Sequence, residues 1–456
     1  ALIDPQVNSF PSYEVRIVGN IVRGIVPGSE VYIAGLVVPA SQQGMNGQQG
    51  YINYIDYATG RFRVGGILND PTTGTLCEIN DPVGRYGYAH SPDQRFQADT
   101  NNPTISTSTG FPVGIPKVAP TAVPIPADEV GDPDRPYTNR PRNGSIYGTD
   151  PFLAQGEPLK AFTMPSVQNV TAGSPDPRRQ IPLMVGDWVD FSGTTFKIKP
   201  RGSNRPVNQY VSVHTLTAHL GVKTIPGTLP AYVRVEEFLF GVGDGSGTGP
   251  TVQAGTPPTP IAQETSTRAT LVAFTTDSDA TQINNTCLSP PSPTLPGGAL
   301  FAIAVDPVTG AETELQFPRG STALSPADFC LDDPVRGRIR WTMSKNPKRP
   351  VAGQSNAVGT GKFYREYILR LTGTGRGTFQ LPDQVGLNGA VLPGLVAGQY
   401  RLPIFDYIFG EGTNFGEPWP PFNFNDFGFL VNGSGVLNTG AANVTIGPLN
   451  PFPLFQ

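Results

Sequence analysis

Apolar residues in this chain recur at every second position, in short runs, and almost never at helical spacing. The runs "YEVRIVGNIV", "EVYIAGLVV", "YINYIDYATGRFRVGG", "YVSVHTLTAHLGV", "AYVRVEEFLFG", "ALFAIAVDP" and "REYILRLTG" alternate, and Gly, Pro, Asn and Asp interrupt them. A period of two belongs to a strand with one buried face. The β-branched and aromatic residues that fill the runs favour the same conformation. "ATGRF" and "PVTGAE" read as hairpin turns in which Gly supplies a positive φ. The fold class is all-β.

Two pairs of runs look alike. "EVYIAG" (Glu30–Gly35) precedes a strand that opens on Tyr51, and "DWVDFSG" (Asp187–Gly193) precedes one that opens on Tyr210. In each pair a strand ends at a Gly, where the missing Cβ lets a chain bend at a barrel corner. We therefore expect two small OB-like β-barrels, over residues 1–110 and 166–242. Between them, Pro112, Pro116, Pro120 and Pro124 fall at every fourth position, followed by Pro126, Pro133, Pro136 and Pro141. Such a segment forms neither helix nor central strand. Residues 111–165 are thus expected to run over the surface as an extended strap. Residues 243–265, rich in Gly, Thr and Pro, read as a linker. The longer strands of 266–380 suit a β-sandwich, and 381–456 forms an aromatic-rich C-terminal arm.

At 456 residues the chain is long enough for several domains. Its 54 Gly and 49 Pro are many, but 38% apolar residues are enough to build cores. Only 15% of residues are charged, against about 25% in an average globular protein. A surface so poor in charge fits contact with other protein or with wall material. The net charge is −4 and no basic stripe exists, which argues against nucleic acid as a partner. No run of 18 apolar residues is present, so no membrane span is expected. The chain opens on Ala1 with neither a basic n-region nor an apolar h-region, and the expectation is a secreted protein whose signal peptide has gone. N-glycosylation sequons begin at Asn143, Asn169, Asn284, Asn432 and Asn443. Of the three cysteines, Cys287 and Cys330 sit in similar settings, "TCLSPP" and "FCLDDP", and are expected to pair, leaving Cys77 free.

Groups suited to catalysis are sparse. His214 and His219 in "HTLTAH" are five apart, which on a strand points them to opposite faces and denies them a shared metal. The loop "GVGDGSGTG" lacks the Lys of a phosphate-binding loop, and no metalloprotease, zinc-ribbon or nucleophile-elbow motif occurs. Glu236 and Glu237 are adjacent and so face opposite ways, which leaves only a pairing of one of them with Asp187 or Asp190 across a cleft as a route to two acids in one site. The acids of "DSD" (Asp277–Asp279) and Asp332 and Asp333 offer oxygen ligands without EF-hand spacing. No cofactor is expected. Trp188, in an alternating strand, reads as core, while aromatics on exposed strand faces would stack on sugars.

The residues from Leu402 to Gln456 include no Lys or Arg. Phe405, Tyr407, Phe409, Phe415, Trp419, Phe422, Phe424, Phe427 and Phe429 crowd the middle of the arm, among prolines that prevent it from building a core of its own. Covering half of that set would contribute roughly 15–25 kcal/mol before ordering costs. The arm is expected to lie in a preformed groove, on a neighbouring copy or on its own domains.

"INDPVGRYG", "SPDPRRQIPLMVGDWVDFSG", "TIPGTLPAYVRVEE", "VDPVTGAETE" and "GLVAGQYRLPIFDYIFGE" together resemble a family of uncharacterised secreted proteins of filamentous fungi. The resemblance spans most of the chain. It implies secretion in a glycosylating eukaryote and assigns no catalytic residue. The reading that results is a secreted, non-catalytic structural protein of the matrix or cell surface that assembles with itself into a filament or sheet. A glycan-binding or adhesive cell-wall protein is the alternative, and a carboxylate-based glycoside hydrolase the third.

Overall fold

The computed structural model describes residues 13–23, 30–41, 47–92, 97–99, 101–145, 147, 153–198, 208–242, 268–279, 297–305, 311–316, 328–333, 336–344, 366–386, 389–402, 406–409, 435–438 and 443–446. Among these there is no α-helix, and the chain is all-β, as its alternation requires.

Five strands form a circuit. Gln48–Asp56 turns through Tyr57–Gly60 and pairs antiparallel with Arg61–Val64. Gly60 takes φ +74°, and the Asp56 carboxylate accepts from Ala58 N at 3.0 Å and Thr59 Oγ1 at 2.7 Å. Arg61–Val64 pairs antiparallel with Thr75–Ile79, which pairs parallel with Asn208–Ala218. Asn208–Ala218 pairs antiparallel with Trp188–Ile198, and that strand returns to Gln48–Asp56 with Trp188 opposite Tyr51. Ile105–Thr107 adds a sixth strand, parallel to Asn208–Ala218. Ile52, Phe62, Val64, Cys77, Val189, Phe191, Val211 and Val213 pack into one buried cluster.

The two segments read as separate barrels thus contribute to one sheet. Alternation specifies a strand and its buried face, but partner choice depends on long-range register. For the same reason the apparent repeat does not hold: Glu30–Ser41 pairs with Tyr13–Arg23 in another sheet. Nor does the Trp188 strand end at Gly193. It bulges between Ser192 and Gly193 and continues to Ile198. A Cβ on Gly193 would lie 2.4 Å from the Ser212 carbonyl oxygen, so the bend needs glycine.

The second sheet has eleven strands, from Tyr13–Arg23 at one end to Gln399–Leu402 at the other. Between them, in order of pairing, lie Glu30–Ser41, Asp406–Phe409, Val233–Val242, Arg268–Thr275, Arg338–Ser344, Asp328–Asp333, Gly297–Val305 and Glu366–Thr372, with Glu312–Gln316 beside Gly297–Val305. Only three residues, 403–405, separate Gln399–Leu402 from Asp406–Phe409. They reach at most about 14 Å, whereas the intervening strands of a flat sheet would span roughly 34 Å. The sheet therefore rolls back on itself. Phe238 and Tyr367, on strands far apart in pairing order, accordingly meet edge to face with ring centroids 5.0 Å apart.

The proline-rich segment is only partly a surface strap. Phe111, Val113, Ile115, Leu159 and Met164 belong to the core of the circuit. Val113–Gly114 pairs parallel with Ile181–Pro182, and Ala161–Met164 with Gly221–Thr224. Proline excludes helix but not burial, provided the remaining polar groups find partners. Here they do. Arg135, fully buried, donates to Asp132 Oδ2 at 2.9 Å and to the Arg85 carbonyl at 2.9 Å, and Asn139 Nδ2 donates to the carbonyls of Asp176, Arg179 and Gln180. The expected linker, 243–265, lies outside the described residues.

Candidate interaction surfaces

Several of the acids singled out for chemistry are occupied structurally. Asp187 is buried and receives both terminal nitrogens of Arg140, at 2.8 and 3.0 Å, plus Met184 N at 2.8 Å. Glu236 sits at a bulge between Val235 and Glu237, exposed, 3.7 Å from Arg234. Asp277 and Asp279 hold Arg376 at 2.7 and 3.7 Å. Burial pushes the Asp277 carboxyl up despite that arginine. Asp332 and Asp333 lie in the strand Asp328–Asp333. Among the described residues no group of three or more His, Cys, Asp or Glu is placed to hold a metal. His214 is buried within the strand Asn208–Ala218, and His219, just past its end, is exposed. Among the same residues, no helix is long and apolar enough to cross a membrane.

Two surfaces remain. The first is where the N-terminal hairpin meets the strand Asp406–Phe409. Tyr407 and Phe409 lie in the strand Asp406–Phe409, which runs parallel to Val233–Val242 of the same chain, with Tyr407 opposite Phe240. Its other edge meets Glu30–Ser41 through Asp406 opposite Ala40. The start of the arm is thus built into its own sheet, between the N-terminal hairpin and the body. Phe405, Phe415, Trp419, Phe422, Phe424, Phe427 and Phe429 lie outside the described residues. At the end of the sheet, Tyr13–Arg23 presents an outer edge eleven residues long, to which no described strand pairs.

The second surface surrounds Trp188, which is half-buried rather than core. Its ring meets that of Tyr51 at 4.7 Å between centroids and 83° between planes, and Tyr51 is 53% exposed. Lys160 Nζ stands 5.7 Å from the Tyr51 ring centre. His219 N donates to the Trp188 carbonyl at 2.9 Å, and its ring nitrogen Nε2 lies 2.6 Å from Asp190 Oδ2. Sequence reasoning assigned Trp188 to the core because alternation tells which residues share a face, not which face is inside. Asp190, two residues on and charged, was the available signal that this face is outside.

Cys77 is a buried free thiol, and burial pushes its pKa well up. Cys330 lies in a strand and Cys287 outside the described residues, so their pairing rests on sequence. Among the sequons, Asn169 is exposed on the short 3-10 turn Val167–Asn169. Asn143 Nδ2 instead donates to the Leu153 carbonyl. Asn443 opens the strand Asn443–Ile446, and Asn284 and Asn432 lie outside the described residues. No family model, curated protein or solved structure matches the chain.

Proposed function

We propose that this is a secreted, non-catalytic structural protein of the extracellular matrix or cell surface, and that it joins copies of itself by strand addition. The observation that carries the reading is the outer edge of Tyr13–Arg23. Eleven alternating residues end an eleven-stranded sheet with one row of backbone donors and acceptors unpaired by any described strand. Long edges of this kind template pairing with another chain. In this reading the five-strand circuit is a single small OB-like barrel, with the proline-rich segment inserted between its third and fourth strands, and the rolled sheet is a β-sandwich. The arm beyond Phe409, with Phe415, Trp419, Phe422, Phe424, Phe427 and Phe429, supplies the contact to the neighbouring copy. A contact between different surfaces of successive copies is heterologous and yields filaments unless the rotation closes a ring. The resemblance to secreted fungal proteins supports the location, and no cofactor is invoked.

Electron microscopy and sedimentation of three chains test this. The full chain is expected to polymerise, while a chain ending at Phe409 and a chain lacking residues 1–41 stay monomeric and folded. Monomers of the full chain at high concentration, or polymers from both shortened chains, would overturn it.

A further inference from the structure

We propose that the aromatic corner made by Tyr51 and Trp188 binds a neutral polysaccharide of β-linked pyranose units. The inference does not rest on self-assembly. The two rings stand nearly perpendicular, so one wall can stack on the apolar C–H face of a sugar while the other meets its edge. The strands fix this arrangement: Trp188 and Tyr51 are register partners on the outer side of the circuit, above the buried Val189 and Ile52. The rim is polar. Lys160 stands beside Tyr51, donating to the Gly186 carbonyl at 3.4 Å. The His219 and Asp190 side chains, 48% and 46% exposed, lie beside Trp188. Gln49, opposite Asp190 in register, is exposed as well.

These groups give donors and acceptors at the height of the ring hydroxyls. Their charges also select the ligand. Lys160 and Asp190 balance, so the footprint is close to neutral when His219 is neutral. A phosphate backbone would meet the Asp190 carboxylate without the cluster of cations that such polymers require. An apolar peptide or lipid would strip water from Lys160, Asp190 and His219 and offer them no new hydrogen bonds, which is costly. A polyhydroxylated chain with a flat apolar face meets both demands. β-Linked pyranoses, whose hydroxyls are mostly equatorial, present such faces repeatedly.

The test is calorimetric titration of the full chain, below any assembling concentration, with soluble hexasaccharides of β-1,3-glucan, β-1,4-glucan and chitin. At least one is expected to bind. Tyr51→Ala and Trp188→Ala should each weaken binding by about tenfold or more, with Tyr51→Phe close to wild type. Tyr210→Ala, which alters the separate Phe196–Tyr210 stack, should bind as wild type. Because Tyr51 is largely exposed, its alanine variant is expected to remain folded, and circular dichroism checks this. Absence of binding to all three sugars at millimolar concentration, or unchanged affinity in folded Tyr51→Ala, overturns the site. Either result leaves polymer formation, and so the structural reading, untouched.

Discussion

Replacing Arg140 with Met should destabilise the five-strand circuit by about 3–5 kcal/mol, because it leaves a buried carboxylate without its cation. Both side chains are almost fully buried, at 3% and 1% exposure, and the pair is bidentate. After the change, the Asp187 carboxylate keeps only the backbone N–H of Met184 as a donor among the bonds described above. The assay uses Trp188, the neighbour of Asp187, as reporter. With Trp341→Phe and Trp419→Phe in the background, it becomes the sole tryptophan of the three. At a slope of about 1–3 kcal/mol per molar urea, the midpoint should fall by at least about 1 M. Arg140→Met with Asp187→Leu should recover most of the loss, since an apolar pair of similar volume removes the stranded charge. A residual cost of about 1 kcal/mol should remain, because the Met184 N–H loses its acceptor. A single variant with an unshifted midpoint would refute the reasoning, as would a double variant no better than the single. The first would mean that the proline-rich segment carrying Arg140 is not integral to the circuit, and the second that the stranded Asp187 charge is not the source of the loss.

Stability should peak on the acid side of neutrality. Burial raises the carboxyls of Asp81, Asp99 and Asp277 above the ordinary value of 3.8, so the folded state keeps their protons to higher pH and stability falls as pH rises through that window. Asp132 has the opposite sign. Burial opposes its ionisation, but Arg135 and backbone N–H groups outweigh that, so its contribution is present above 3.8 and lost as pH falls below it. A melting temperature that climbs steadily from about pH 4 to 8 would contradict this balance. Gly193→Ala should cost about 1–3 kcal/mol, because its Cβ would press on backbone rather than on a yielding side chain; an unchanged urea midpoint would show that the bulge can relax. Expressed in a eukaryotic secretory host, Asn169 should carry glycan in peptide mass mapping and Asn143 should not, since a glycan on Asn143 Nδ2 would displace its bond to Leu153. Full occupancy at Asn143 in folded protein would contradict that assignment.

Strand identity was legible in the sequence and strand partnership was not. The runs opening on Tyr51 and Tyr210 are strands, with Ile52, Val211 and Val213 inward as alternation dictates. What joins them, through Trp188–Ile198 and Thr75–Ile79, depends on contacts across more than a hundred residues that no local pattern encodes. The prolines at 112 and 116 reported correctly that no helix forms. They were silent on burial, which Phe111, Val113 and Ile115 decide. Trp188 shows the same limit at the candidate site. Its alternation with Val189 was plain, but only the sheet as folded shows that Val189 faces the core and Trp188 faces Tyr51. The cluster of Lys160, Asp190 and His219 draws on three separate elements and leaves no spacing for a motif to capture.

The short return from Leu402 to Asp406 also sets a schedule for synthesis. Ala40 finds its partner Asp406 only after the more than 300 residues between them have been made. Until then the hairpin Tyr13–Ser41 has pairing on one side only, and the edge of Val233–Val242 that will receive Asp406–Phe409 stands open. Contacts of such long sequence separation close slowly, since loop-closure entropy is lost before they reward it. The ribosome-bound chain therefore carries two complementary open edges until Asp406–Phe409 has been made. Crowded nascent chains can satisfy those edges between molecules before each one is finished. The order in which this protein is made thus bears directly on whether Glu30–Ser41 and Val233–Val242 are joined through their own Asp406–Phe409 or through a neighbour's.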